Sequence, residues 1–301
     1  MNYDVFQLEQ YPLPLPENHR FPAKKYAMIR RLLIAEKILA PSQLKPAPVA
    51  DFDMLNLAHD RAYIRSMADG SVSADIMKRV GFPWTPELFT RVSATVGGAV
   101  ASMHSSLRDG IAGCLAGGTH HAHYDFGSGY CVFNDLAVAS RVLTKTMGFK
   151  RVAIVDLDVH QGDGNSAILA DDPEVMVLSL HGDRNFPFRK VASTLDVPLA
   201  TGTSDEDYLI ALDFALEQVA AFEPQFIFYQ MGVDALKEDK LGKLDMTFDG
   251  LMERDRRVLN FAKSRKIPIS LALGGGYADP IELSVRAYAN TYRVVNQIYQ
   301  R

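Results

Sequence analysis

The chain has 301 residues, 48% of them hydrophobic and 23% charged, with a formal net charge of -4 at pH 7. A chain of this length buries a sizeable core, and these fractions are those of an ordinary soluble globular protein. The mildly acidic balance argues against nucleic acid as the main partner, since phosphate binding needs an excess of Lys and Arg on one face; it leaves cationic substrates open. Met1 to Gln10 shows no basic segment followed by an apolar one, and no apolar run approaches the roughly 20 residues of a bilayer span, so a cytoplasmic protein with no membrane partner is expected. Pro12, Pro14, Pro16 and Pro22 punctuate one loop, and Pro41, Pro46 and Pro48 another; between them Tyr26 to Leu39 reads as a helix. No repeat, low-complexity tract or long linker divides the chain, so residues 1–301 read as one domain.

From residue 86 onward helical and strand patterns alternate. Pro86 to Arg108 has helical spacing, with Pro at its start and Gly110 just past its end. Ser204 to Phe222 is a second such helix, with Ser204 and Asp207 placed as a capping box; Thr247 to Lys266 and Pro280 to Gln300 are two more. Between them lie five short apolar runs, Ile111–Ala116, Arg151–Val155, Val175–Leu180, Phe226–Met231 and Ile267–Leu273. Continuous apolar runs separated by helices predict an α/β fold, a mostly parallel sheet with helices on both faces. Cys114 and Cys131 are too few for a disulfide framework or a thiolate zinc cluster and read as buried thiols.

Four of these runs end in polar or Gly-rich segments: Gly117-Gly118-Thr119-His120-His121, Asp156 to Gly164, Gly232-Val233-Asp234 and Gly274-Gly275-Gly276-Tyr277. In open α/β sheets the ligand site lies beyond the carboxyl ends of the strands, so these segments are expected to meet. Asp156, Asp158 and His160 alternate with Val155, Leu157 and Val159, and an extended chain would put all three polar groups on one side. Two carboxylates and an imidazole at a buried strand end call for a cation, and three protein ligands with an open position is the catalytic zinc pattern. His120 and His121 suit acid–base catalysis beside such a metal, with Asp156 and Asp163 available to orient them. The glycines before Tyr277 let the backbone approach a ligand and present a hydroxyl to a developing oxyanion.

These strings carry a family resemblance. GGTHHAH (117–123), GSGYCVFND (127–135), DLDVHQGDG (156–164), VLSLHGD (177–183), QMGVDALKEDKLG (230–242) and LALGGGY (271–277) resemble, in order, the motifs of the histone deacetylase family, which includes acetoin-utilisation proteins and acetylpolyamine amidohydrolases. The run 234–255 leans toward its class IV-like and bacterial branch. The resemblance implies a zinc-dependent deacylase of acyl-lysine in proteins, with iron(II) or cobalt as possible substitutes, or alternatively an amidohydrolase of acylated small amines. It implies Asp158, His160 and Asp234 as metal ligands, His121 as general base and acid, His120 as its partner, and Tyr277 opposite the metal. Asp163 and Asp156 would orient His121 and His120. A tunnel for the acyl-lysine chain would be lined by Gly129, Tyr130, Phe186, Leu241 and Gly275. A potassium ion would be held by Asp156, by main-chain oxygens of Asp158, His160 and Leu180, and by the Ser179 hydroxyl. Thr119, where many members carry Trp, and Tyr130, where Phe is commoner, depart from the pattern without removing a catalytic group. An arginase-like ureohydrolase with a two-metal cluster and a non-catalytic acyl-lysine binding module are the rival readings.

Overall fold

The five apolar runs become the centre of the structure because each is covered by helices on both faces and has no water-facing side. The computed structural model describes residues 3–16, 18–169 and 171–299. Among them lie β1 (Val5–Gln7), β2 (Leu44–Pro46), β3 (Ile111–Cys114), β4 (Val152–Asp156), β5 (Val175–Gly182), β6 (Leu195–Leu199), β7 (Phe226–Gln230) and β8 (Ile269–Ala272). They form one 8-stranded parallel sheet in the order β2-β1-β3-β8-β7-β4-β5-β6. The helices are α1 (Lys24–Ala35), α2 (Phe52–Leu55), α3 (Arg61–Asp69), α4 (Ala74–Val80), α5 (Pro86–Asp109), α6 (Asp135–Arg141), α7 (Asp163–Leu169), α8 (Asp205–Phe222), α9 (Phe248–Ser264) and α10 (Glu282–Tyr299). None is long and apolar enough to cross a membrane.

Strand pleating divides the core in two. Ala153 and Val155 of β4 pack with Ile29 of α1, Leu212 of α8, Val258 of α9 and Val295 of α10. Val152 and Ile154 point the other way, toward Ile64 of α3, Val80 of α4, Val96 of α5 and Leu136 of α6. Thr85 caps α5 through its hydroxyl, and Gly110 closes that helix in the left-handed conformation at φ 84°.

The structure departs from the sequence reading at particular points. α1 runs Lys24–Ala35 and not Tyr26 to Leu39, because Lys37 turns into the left-handed region at φ 55°. The Ser204 side chain caps no backbone N–H and only approaches Asp207 Oδ2 at 3.5 Å, so the expected capping box is not formed. Asp205 instead accepts hydrogen bonds from the Thr247 backbone and hydroxyl and ties α8 to the start of α9. Gln300, the expected end of the last helix, lies outside the described residues.

The topology sets the site. β3, β8, β7 and β4 are neighbours in the sheet, and since all run parallel, the segments leaving their carboxyl ends emerge side by side. These are the four polar and Gly-rich segments singled out above.

Candidate metal centre and cavity

β4 ends at Asp156, and the residues after it bend instead of continuing as a strand, so pleat alternation does not place Asp158 and His160. Asp156 Oδ1 accepts the Asp158 N–H at 3.2 Å, and Asp158 Oδ1 accepts the His160 N–H at 3.0 Å. Each Asp thus caps the backbone two residues on, the Asx geometry that lets a buried chain turn with its amides satisfied. Leu157 and Val159 remain in the hydrophobic core, and the polar side chains gather on the other side.

Asp234, at the end of the β7 segment, completes the group. Ligand atoms of Asp158, His160 and Asp234 lie within 4.8 Å of one another, all three residues buried. His160 Nδ1 is 3.0 Å from both Asp158 Oδ1 and Asp234 Oδ2. The outer oxygens are also held: Gly275 N–H donates to Asp158 Oδ2 at 2.6 Å, and Val159 N–H to Asp234 Oδ1 at 2.9 Å. A Cβ on Gly275 would overlap Asp234 Oδ2, so only glycine brings the backbone this close. Burial and the neighbouring Asp158 carboxylate push the Asp234 carboxyl up to about 7, against the pull of His160. Burial opposes charge on His160 too, but the two carboxylates outweigh it and raise the imidazole to about 10. The oxygen-rich, nitrogen-assisted donor set of this buried cluster fits a divalent ion.

The histidine pair stands above this group on the loop from β3. Asp135, fully buried at the start of α6, accepts the N–H groups of Gly118 and Thr119, while Gly117 and Gly118 adopt φ of 86° and 71°. His120 donates from Nδ1 to Asp156 Oδ2 at 2.8 Å, and His121 from Nδ1 to Asp163 Oδ1 at 2.6 Å. Their rings are 4.1 Å apart. The two environments push them apart. Burial works against charge on His120, yet Asp156 and Asp158 prevail and lift it to about 9. Burial and the charge of His120 lower His121 to about 4, with Asp163 opposing.

Sequence reasoning assigned no role to His123, though it closes the GGTHHAH string. Its Nε2 donates to the second oxygen, Asp163 Oδ2, at 3.1 Å, and its ring stacks on Phe126 with centroids 4.4 Å apart. Asp163 is therefore gripped by two imidazoles, which hold its carboxyl well below the usual range despite burial. Lys25 was also missed, and no local pattern marks it. It is fully buried, its ammonium donates to the carbonyls of Gly274 and Gly276 at 3.4 and 3.2 Å, and it lies 4.8 Å from the Tyr277 ring centroid. Burial lowers it to about 8 against the pull of Asp234, Asp239 and Asp158.

One cavity of about 580 Å³ collects these groups. His120, His121, Asp158, His160 and Tyr277 line it, as do Gly129, Tyr130, Phe186, Leu241 and Gly275; Asp156, Asp163 and Asp234 do not line it but contact His120, His121 and His160, which do. Phe186 meets the His121 ring edge-on at 4.9 Å. Tyr130, at φ 65°, stacks on Phe82 with centroids 5.5 Å apart. The Thr119 hydroxyl lies 2.6 Å from both the Phe133 carbonyl and Asp135 Oδ1, so this departure is absorbed into the support of the histidine loop. Burial and the Asp158 charge raise the Tyr277 hydroxyl well above its ordinary range, which keeps its proton available for donation. Asp156 and Ser179, two of the groups expected around a monovalent ion, are register partners on β4 and β5, and the Ser179 hydroxyl lies 3.0 Å from His181 Nδ1. Cys114 and Cys131 are buried and free, with Cys131 in the cavity wall.

The chain is similar to known proteins along nearly its whole length. The sequence profile of the histone deacetylase domain matches residues 19–292. An uncharacterized protein of Picosynechococcus sp. is 37% identical over 300 residues, covering 99% of this chain and 100% of that one. Histone deacetylase 2 of Arabidopsis thaliana is 29% identical over 270 residues, covering 86% of this chain and 70% of that one. A crystal structure of an HDAC homolog complexed with SAHA superposes with a TM-score of 0.87 at 26% identity, covering 100% of this chain and 85% of the other.

Proposed function

The chain belongs to the histone deacetylase family of hydrolases, and on that footing we propose that it is a zinc-dependent deacylase of lysine ε-amines in proteins, with residues 1–301 forming one catalytic domain. The observation that carries the reading is that Asp158 and His160, grouped with Asp234, share one cavity with His121 and Tyr277.

Asp158, His160 and Asp234 would hold the metal, which would supply Lewis acidity when bound. His121 has its Nδ1–H committed to Asp163, so its Nε2 is the nitrogen left to accept a proton from water. The same nitrogen then returns that proton to the departing lysine amine. Asp163 fixes the tautomer and balances the imidazolium as it forms, and His123 keeps the carboxylate in place from its other oxygen. His120 is steadied by Asp156 and sets the charge beside His121. Tyr277 donates its hydroxyl to the developing oxyanion, an interaction of the kind worth about 3 kcal/mol. Asp156, Ser179 and the main chain of Asp158, His160 and Leu180 would hold a potassium ion. Zinc suits three ligands with an open position; the two carboxylates also admit iron(II) or cobalt.

The test is turnover by the metal-loaded enzyme of lysine peptides bearing acyl groups from acetyl to myristoyl, beside acetylputrescine. Amine release from at least one peptide is expected, and hydrolysis of acetylputrescine alone would move the assignment to small amines. A hydroxamate should inhibit with a Kd at least about tenfold tighter than the matching carboxylate, measured by titration; equal affinity would count against metal chelation within the cavity.

The acidity of His121 gives a pH dependence with a definite sign. Its working form is the neutral imidazole, and burial beside cationic groups lowers its pKa from 6.5 to about 4. The acid limb of kcat/KM is therefore expected below 6.5, with activity lost as pH falls through it. An acid limb at or above 6.5 in the pH–rate profile would place the controlling proton elsewhere.

A further inference from the structure

The mouth of the cavity carries charge of one sign. Histidines aside, its charged lining residues are Lys78 and Arg79 from the last turn of α4, Arg184 from the loop after β5, Lys243 beyond Leu241, and Asp158 at the floor. The four cations are exposed, and none forms an ion pair among the described residues. Away from the mouth, Arg30, Arg108, Lys150, Arg257 and Arg293 each have a carboxylate partner. The rim is basic on a chain of net charge -4, so it opposes the sign of the whole molecule.

The cations are also positioned. Arg79 lies over the Phe126 ring at 5.2 Å, and Lys243 Nζ donates to the Arg184 carbonyl at 2.9 Å. Lys190 donates to the carbonyls of Asp183, Asn185 and Pro187 at 3.2, 2.7 and 2.7 Å, which pins the loop carrying Arg184, Phe186 and the outward-facing Phe188. Asp183 precedes Arg184 in the chain but does not line the cavity.

We infer that this rim selects acyl-lysine within peptide segments carrying Asp or Glu close to the acylated residue, and disfavours polycationic substrates, whether acylated polyamines or Lys- and Arg-rich tails. The inference rests on the lysine-deacylase reading and narrows its substrate class. The four cations come from α4, the loop after β5 and the segment beyond Leu241, so an extended segment that sends one lysine inward lays its neighbours, at most about 3.6 Å per residue apart, among them. Complementary rim charges act mainly on encounter and KM and are screened by salt. The mildly acidic whole-chain balance leaves cationic substrates open; the local field at the mouth argues against them.

The experiment uses the metal-loaded enzyme and three peptides with the same acyl-lysine and acidic, uncharged or basic flanks. At low salt the acidic peptide should exceed the basic one in kcat/KM by at least about tenfold, on the basis of several exposed pairs each worth up to about fivefold. The ratio should fall toward one at high salt. It should fall toward one in either double variant, Arg184→Glu/Lys243→Glu or Lys78→Glu/Arg79→Glu, each of which leaves two cations against two carboxylates, and invert when all four are replaced, a readout unaffected by a uniform loss of activity. Turnover of all three peptides within about twofold of one another, or a preference that none of these variants moves, overturns the inference while leaving the deacylase reading intact. Hydrolysis of none of them sinks the deacylase reading. Peptide affinity measured by fluorescence anisotropy then still decides the inference: acidic over basic supports it, and equal affinities overturn it.

Discussion

His121→Ala is expected to lower kcat on an acyl-lysine peptide by about 10³-fold while leaving one metal per chain, the loss typical of removing a well-placed general base. The two readouts separate because His121 is not part of the ligand group. Its Nδ1 binds Asp163, and its ring meets that of His160 edge-on at a centroid distance of 6.0 Å, whereas Asp158, His160 and Asp234 are tied to one another and to Gly275 and Val159. Deleting the imidazole leaves those contacts standing. A thousandfold loss corresponds to about 4 kcal/mol at the transition state. Asp163→Asn should reproduce much of it with the ring still present, because an amide neither fixes the Nδ1–H tautomer nor balances the imidazolium. Steady-state kinetics with elemental analysis decides the matter: activity retained within about tenfold in the metal-replete His121→Ala protein would remove the residue from proton transfer.

The centre of the fold was legible because its strands are buried on both faces. β3, β4, β5, β7 and β8 appear in the sequence as unbroken apolar runs, and their helices carry Pro, Thr or Gly at the ends. The sheet margins were not. β1 and β2 are three residues each and sit among prolines, and β6 carries Pro198 at an edge where a missing N–H is tolerated. Such strands exist only because a central neighbour pairs with them, which no local pattern records.

The cluster at the strand ends was legible for a related reason: buried carboxylates and imidazoles after an apolar run need a common purpose. Geometry was the harder part. Alternation implied an extended Asp156-to-His160 segment, but Asp side chains capping the backbone two residues on make it a turn. Asp234 lies 76 positions from Asp158 by subtraction of their sequence numbers, and only the adjacency of β7 and β4 brings it home. The basic rim was invisible for the same reason, since its four cations come from three separate segments.

Arg254 shows how far the support reaches from the site. Arg254 and Asp255 lie on the amphipathic α9, yet both are buried and the Arg254 side chain is wholly so. Its guanidinium donates to the carbonyls of Gly232 at 2.6 Å, Leu157 at 3.4 Å and Met231 at 3.4 Å, the backbone just before Asp234 and Asp158. It also donates to Asp255 Oδ1 at 2.9 and 2.8 Å, an oxygen shared with the Tyr229 hydroxyl, while Thr291 binds the other oxygen. One planar donor fork thereby fastens the ends of β4 and β7 to α9. Arg254→Leu is expected to destabilise the fold by about 3–5 kcal/mol, because Asp255 keeps a buried charge without its partner. In a chain of this size that corresponds to a Tm lower by ~5–15 °C. Metal affinity should fall with it, by about 10–100-fold, since the ligands lose the backbone anchor behind them. The double variant Arg254→Leu/Asp255→Leu distinguishes the two roles: removing both charges should restore much of the Tm, but not the metal affinity. Calorimetry and a competitive metal titration on the same protein give both numbers. Recovery of affinity together with Tm would mean that Arg254 acts through global stability alone, and the proposed hold on the metal-ligand backbone would be wrong.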